Sequence, residues 1–293
     1  MLVSEKGDYT LIVRGDTDAS SPREDDNLGK MICFHRRYNL GDQHEYENPQ
    51  EFLRDLVKRT VPGKAVVDYV LGGHSEGLEF QHNGGDEGWD LLYYDRPSDK
   101  WDVLESGLTI QENTENIAEL LIGEFGIQDL LAIAGEENCI LPLYLYDHSG
   151  LTMSVAPFDD RWDSGQVGWI YATNEEIAKE FSSLPKYDGI DKAEDILRAE
   201  VQNFDYFLRG ECYGFELLEN GITVDSCWGF LGEFKQVCEV IEENLPDDCA
   251  GITSGLDEIP EKVSVLALLR AAKIKVSELP ILTGQPAISA EAR

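Results

Sequence analysis

Apolar residues recur along this chain in two rhythms. Helical spacing is clearest where Phe52, Leu53, Leu56 and Val57 share one face, and where Leu197, Val201, Phe204 and Leu208 form a stripe. The first set follows Asn48-Pro49-Gln50-Glu51. There Asn48 can accept from first-turn amides, Pro49 suits the first helical position, and Glu51 completes a capping box. Asp191 with Glu194 is expected to cap the second helix, which ends at Gly210 and must bury its stripe against a sheet. Thr173 with Glu176 caps a shorter helix, and Phe234, Val237, Ile241 and Leu245 form another, stopped by Pro246. Ile117–Phe125 and Ile127–Ala134 read as two more, with Gly126 and Gly135 as stops. Lys262–Lys275 reads as a last helix, before a tail that frays after Pro280.

The second rhythm is that of strands. Tyr9–Arg14 and Met31–His35 flank a polar turn, and Trp89–Tyr94, Leu141–Tyr146 and Val167–Ala172 have strand character. Ala65–Leu71, β-branched and nearly uncharged, reads as a buried strand. Glu211–Leu218 and Ile222–Phe230 are joined by Asn220-Gly221, the strongest hairpin signal in the chain. Asn-Gly supplies the two positive φ angles of a type I′ turn. Gly72–Gly88, with six glycines, reads as a mobile loop. Strand pairs mixed with helices, without regular βαβ alternation, predict an α+β fold: an antiparallel or mixed sheet with packed helices. The expected organisation is one domain over 1–260, with an acidic, loop-rich insertion at about 72–137, then a C-terminal helix and tail over 261–293. A boundary, if there is one, falls near Gly135, where the most acidic region ends.

Charge changes this picture most. The 293 residues carry 24 basic and 57 acidic side chains, a net charge of −33. Such a surface repels phosphate backbones, which argues against direct nucleic-acid binding. The acid is also clustered. Glu76–Glu137 holds sixteen acidic residues against Arg96 and Lys100, and Glu239–Glu261 holds eight and no base. Cys33–Lys64, by contrast, has six bases and five acids. Clustering favours a directed acidic surface for a basic partner over a salt adaptation, which acidifies most exposed faces. The N-terminus lacks a signal-peptide layout, and no apolar run approaches the ~20 residues that span a bilayer. A cytoplasmic location is therefore expected, with the six cysteines as reduced thiols; none forms a CxxC pair.

Candidate chemistry concentrates between Leu141 and Tyr171. In Asp147-His148-Ser149-Gly150, His148 can act as a general base oriented by Asp147 or by an acid more distant in sequence. The plainer alternative is an Asx-type turn made by Asp147, with Gly150 taking the unusual φ. Asp159, Asp160, Arg161, Asp163 and Gln166 are candidate binding residues. Asp163-Ser164-Gly165 is the triplet of aspartic proteases, but one copy needs a homodimer. A turn pinned by Asp163, with Trp162 and Trp169 in the core, suits it better. Cys227 can serve as a nucleophile if His148 or His35 lies beside it, and otherwise reads as a small buried thiol. His35-Arg36-Arg37-Tyr38, followed by Asp42 and His44, matches no established metal spacing. Arg36 and Arg37 can clamp an anion or pair with the acidic 159–163 segment. No metal or cofactor is assigned.

Several stretches together, CFHRRYNLGD, LPLYLYDHSGLTMS, RWDSGQVGWIY, FLRGECYGFEL and DSCWGFLG, resemble a family of uncharacterised proteins of bacteriophages and other mobile elements. The likeness covers Met31–Gly232 in patches and is thin over 76–137. It implies an accessory protein of an infected cell's cytoplasm, and supplies no catalytic residues. The leading expectation is thus an acidic, non-catalytic protein that binds a basic partner, such as a host nucleic-acid-binding or defence protein. The rivals are a hydrolase-like enzyme built on His148 with Asp147, Cys227 or His35, and a salt-adapted protein of other role.

Overall fold

The computed structural model describes residues 1–84, 88–111, 113–160 and 162–258. The helix expected at Lys262–Lys275 and the tail lie outside them. The elements run in the order β1 (Leu2–Lys6), β2 (Tyr9–Gly15), β3 (Lys30–Cys33), α1 (Pro49–Thr60), α2 (Gly63–Leu71), β4 (Leu78–His82), β5 (Trp89–Asp95) and β6 (Lys100–Leu108). Then come α3 (Thr114–Glu124), α4 (Ile127–Glu137), β7 (Asn138–Asp147), β8 (Leu151–Ser154), β9 (Ser164–Thr173) and α5 (Asn174–Glu180). The last are α6 (Lys186–Leu208), β10 (Cys212–Glu219), β11 (Ile222–Leu231), α7 (Phe234–Asn244) and β12 (Asp257–Glu258). Every strand pairing is antiparallel among the described residues, so the fold class is α+β. No helix among them is long and apolar enough to cross a membrane.

Contacts divide the chain into two compact units. The first joins Met1–Glu24 to the described chain from Asn203 onward. Its sheet has the order β11-β10-β2-β1-β12. Leu11 and Val13 of β2 lie opposite Leu217 and Phe215 of β10, and all four are buried with Val237 and Ile241 of α7. The Asn-Gly hairpin forms as expected, with φ of 52° at Asn220 and 80° at Gly221. Strand β11 is the sheet edge and is exposed along most of its length. Strand β1 has little pattern of its own, since Glu5-Lys6 is charged; pairing of Leu2–Lys6 with β2 holds it extended.

The second unit, Asp25–Gln202, carries a four-stranded sheet, β3-β9-β7-β8, and a three-stranded one, β4-β5-β6. Helices α1 to α4 share one apolar core with both. Phe52 and Leu56, Val66 and Val70, Leu121, Leu130, Phe80, Leu91 and Trp169 all belong to it. Asn48 caps α1 by accepting from Glu51 N at 2.9 Å, but Glu51 reaches back to Glu47 N, one residue beyond the expected box partner. Thr173 and Glu176 form a complete capping box on α5.

Four expectations need correction. Ala65–Leu71 is helix α2, not a strand: Val66, Val67 and Val70 are buried at helical spacing. A short apolar run fits either period, and here the neighbouring helix α3 decides. Gly72–Gly88 is not one loop, because β4 occupies its middle and buries Leu78 and Phe80 alternately. Gly135 lies inside α4 and marks neither a helix end nor a boundary, and Gly126 precedes α4 with φ of −72° rather than a left-handed stop. Helix α6 begins at Lys186, so Asp191 is within it instead of capping it.

Candidate functional site

Strand β9 lies between β3 and β7, which brings the ends of distant segments together. Chain leaving β3 supplies Phe34, His35, Arg36 and Arg37. The end of β7 supplies Leu145 and Asp147, and the start of β9 supplies Asp163, Ser164 and Gln166. They line an open cleft of about 650 Å³ in the second unit. The registers Tyr146↔Ser164 and Cys33↔Gly168 impose this meeting. Two of the three segments read as candidate chemistry in the sequence therefore share one site.

Its charges are mostly paired. The Arg37 guanidinium donates to Asp147, whose other oxygen accepts from Tyr38 Oη at 3.4 Å. Arg37 also lies over the Tyr38 ring, 5.4 Å from its centre. His148 Nδ1 is 2.8 Å from Asp163 Oδ2, and its ring stacks on Tyr146. Asp163, not Asp147, thus orients His148. The tight turn also differs from expectation: Ser149, with φ of 61°, takes the left-handed position instead of Gly150. The paired residues are largely exposed (61 % and 41 % for the His148 and Asp163 side chains), so water screens them.

Ahead of β9, Asp160 Oδ1 accepts from Trp162 N at 2.8 Å and Asp163 N at 3.4 Å, so Asp160, not Asp163, is the side chain that pins the backbone there. The Ser164 hydroxyl donates to Asp160 O. Trp169 is in the core as expected, but Trp162 is 96 % exposed at the cleft. Gln166 Nε2 donates to Gly168 O at 3.3 Å, and Asp159 is exposed. Arg161 lies outside the described residues.

His35 is held by an acceptor role. Its Nδ1 accepts from Tyr38 N at 3.3 Å and Arg37 N at 3.4 Å, and its ring stacks on Tyr38 with 5.0 Å between centres. Arg36 is exposed, and no described residue forms an ion pair with it. The expected pairing of these arginines with 159–163 is replaced by Arg37–Asp147. Asp42 accepts from Met31 N at 2.8 Å, and His44 Nε2 meets Cys33 O at 2.9 Å, so both serve the backbone. No group of three metal-ligating side chains occurs among the described residues.

Cys227 belongs to the first unit, on β11. It is exposed, as is most of β11, which corrects the buried-thiol expectation. Two contributions escaped the sequence reading: the Tyr38–Asp147 contact and the His148–Asp163 pair. The second was accessible in principle, since antiparallel pairing of Leu141–Tyr146 with Val167–Ala172 places 147 near 163.

Comparison of the chain with family models, curated proteins and solved structures finds no match.

Proposed function

We propose that this is a non-catalytic binding protein whose acidic faces engage a basic partner, of the class that otherwise binds nucleic acid. The observation that carries the reading is the clustering of a −33 charge on exposed positions. In the second unit Glu76, Glu79, Asp102, Glu105, Glu119 and Glu124 are all exposed. Of these, Asp102 and Glu105 lie on edge strand β6, where Trp101 and Val103 are also exposed. In the first unit Glu239, Glu243, Asp247 and Asp248 are exposed on and after α7. Acidic rows beside apolar anchors suit a cationic protein surface: the field speeds encounter and the aromatic supplies desolvated contact. The phage likeness adds a setting in which that partner is a host protein.

Titration against purified bacterial DNA-binding proteins tests this. Binding should be competed by duplex DNA and weaken steeply as salt rises, because the screening length shrinks to about 10 Å at 0.1 M salt. Affinity that is indifferent to both salt and DNA would refute the reading.

One observation favours the rival, a hydrolase: the His148–Asp163 pair beside an open cleft has the form of a base and its orienting acid. That reading requires a nucleophile beside the imidazole. Covalent labelling by a serine- or cysteine-directed probe, lost in His148→Ala, would establish it in place of the first.

A further inference from the structure

The cleft in the second unit runs against the charge of the chain. Its lining includes three consecutive nitrogen-bearing side chains, His35, Arg36 and Arg37. The two carboxylates that line it are already engaged: Asp147 by Arg37 and Tyr38, Asp163 by His148. Arg36 is left over as an exposed guanidinium with no ion pair among the described residues. His35 adds a second donor. Because its Nδ1 accepts two backbone N–H groups, the ring proton is assigned to Nε2, which no described hydrogen bond uses. Stacking on Tyr38 fixes that ring in place. One guanidinium and one oriented N–H make a small donor set for an anion.

The remaining walls are apolar or aromatic. Phe34, Leu145 and Val167 supply a floor. Trp162 stands at the cleft 96 % exposed, its backbone held by Asp160. An indole buries about 150–250 Å² when covered, so leaving one bare forgoes a large apolar contact. Ring faces of this kind accept planar ligands by stacking. The volume, about 650 Å³, falls within the roughly 300–1,000 Å³ of small-molecule sites.

We propose that this cleft binds a small planar molecule bearing one anionic group, with its ring on Trp162 and its anion on Arg36 and the His35 Nε2–H. A nucleoside monophosphate and an aromatic carboxylate share that chemistry. The proposal stands apart from the acidic-face reading, since it uses cations and an aromatic that the acidic faces do not.

The test is calorimetric titration of the full chain with uridine monophosphate and with indole-3-carboxylate, each beside its neutral counterpart, uridine and indole. At least one anion should saturate with Kd below ~1 mM, about ten-fold tighter than its neutral counterpart. Which anion binds separates phosphate from carboxylate recognition. Arg36→Ala should reduce that anion to the neutral level, Arg36→Lys should retain part of it, and Trp162→Ala should weaken anion and neutral ligand together. Arg96→Ala, an exposed arginine outside the cleft lining, should change nothing. Thermal melts check that each variant is folded. The proposal is overturned if neither anion saturates below ~1 mM, if neutral counterparts bind as well, or if folded Arg36→Ala binds like the parent.

Discussion

Gly168 is where one methyl group should do the most damage. It sits on β9 opposite Cys33 of β3. A Cβ added there would fall 2.9 Å from the Ile32 carbonyl carbon and 3.0 Å from Cys33 Cα, and would run into the Ile32 oxygen. All three are backbone atoms, so no change of rotamer relieves the contact. Carbon atoms pack best at about 3.5–4.0 Å, so the strands must part by roughly half an ångström or more. Overpacking alone costs about 1–3 kcal/mol. Loosening β3 also uncovers Met31 and Ile32, now 0 % and 6 % exposed, at about 1.5–3 kcal/mol for a full side chain. Gly168→Ala is therefore expected to destabilise the second unit by about 3–5 kcal/mol. Gly165, three residues earlier on the same strand, has nothing within 4 Å of its added Cβ. Gly165→Ala should stay within about 0.5 kcal/mol of the parent. Hydrogen exchange at the amides of 30–34, alongside urea unfolding, reads the effect locally, which matters in a chain of two units. A Gly168→Ala protein within ~1 kcal/mol of the parent, or one no worse than Gly165→Ala, would refute the close approach.

Three further outcomes are expected. Asn48→Ala removes the side-chain cap on α1 and should cost about 1 kcal/mol by denaturant titration, with Asn48→Ser restoring most of it. Asn138, 5 % exposed, donates to Thr60 Oγ1 at 2.9 Å and Ala134 O at 2.8 Å; Asn138→Ala should cost about 1–3 kcal/mol, and a loss below the error of the melt would show those bonds to be dispensable. Burial first, then the neighbouring carboxylates of Asp55 and Asp129, push the phenols of Tyr46 and Tyr69 up to about 12. A value raised above the ordinary 10.0 means that their contribution is whole below pH 10.0 and is lost as pH climbs towards about 12. Tyr46→Phe and Tyr69→Phe should each flatten that alkaline loss of stability, and an unchanged profile in both would contradict it.

Much of the fold was legible because local chemistry and burial agree. Asn220-Gly221 has few other conformations to offer, and Thr173 with Glu176 caps whatever helix follows. Phe52, Leu53, Leu56 and Val57 announce a face before any partner is known. The failures share a cause: tertiary context chose between equal local options. Ala65–Leu71 has the composition of a strand, and only packing against α3 makes it a helix. Leu78-Glu79-Phe80 alternates plainly, but glycines on both sides drew it into a loop. At the candidate site, the residues were visible as types while their pairing was not. The sequence offers His148 either its neighbour Asp147 or a more distant acid, without saying which; the sheet register gives that role to Asp163, fifteen positions away. Exposure was the hardest property to read. Trp162 and Cys227 have the composition of core residues, and both face outwards.

The first unit joins strands that are far apart in sequence, and this fixes the order in which its sheet can be assembled on the ribosome. Arg14 of β2 is bonded to Glu216 of β10, 202 positions further along the chain. At about 5–20 residues per second, β2 waits roughly 10–40 s for its neighbour to be synthesised. Asp25–Gln202 is complete before then, so it can fold first and shorten the loop that the terminal strands must close. During the interval β2 has only β1 beside it, and the edge of Leu11, Ile12 and Val13 that later meets β10 stays open to mispairing.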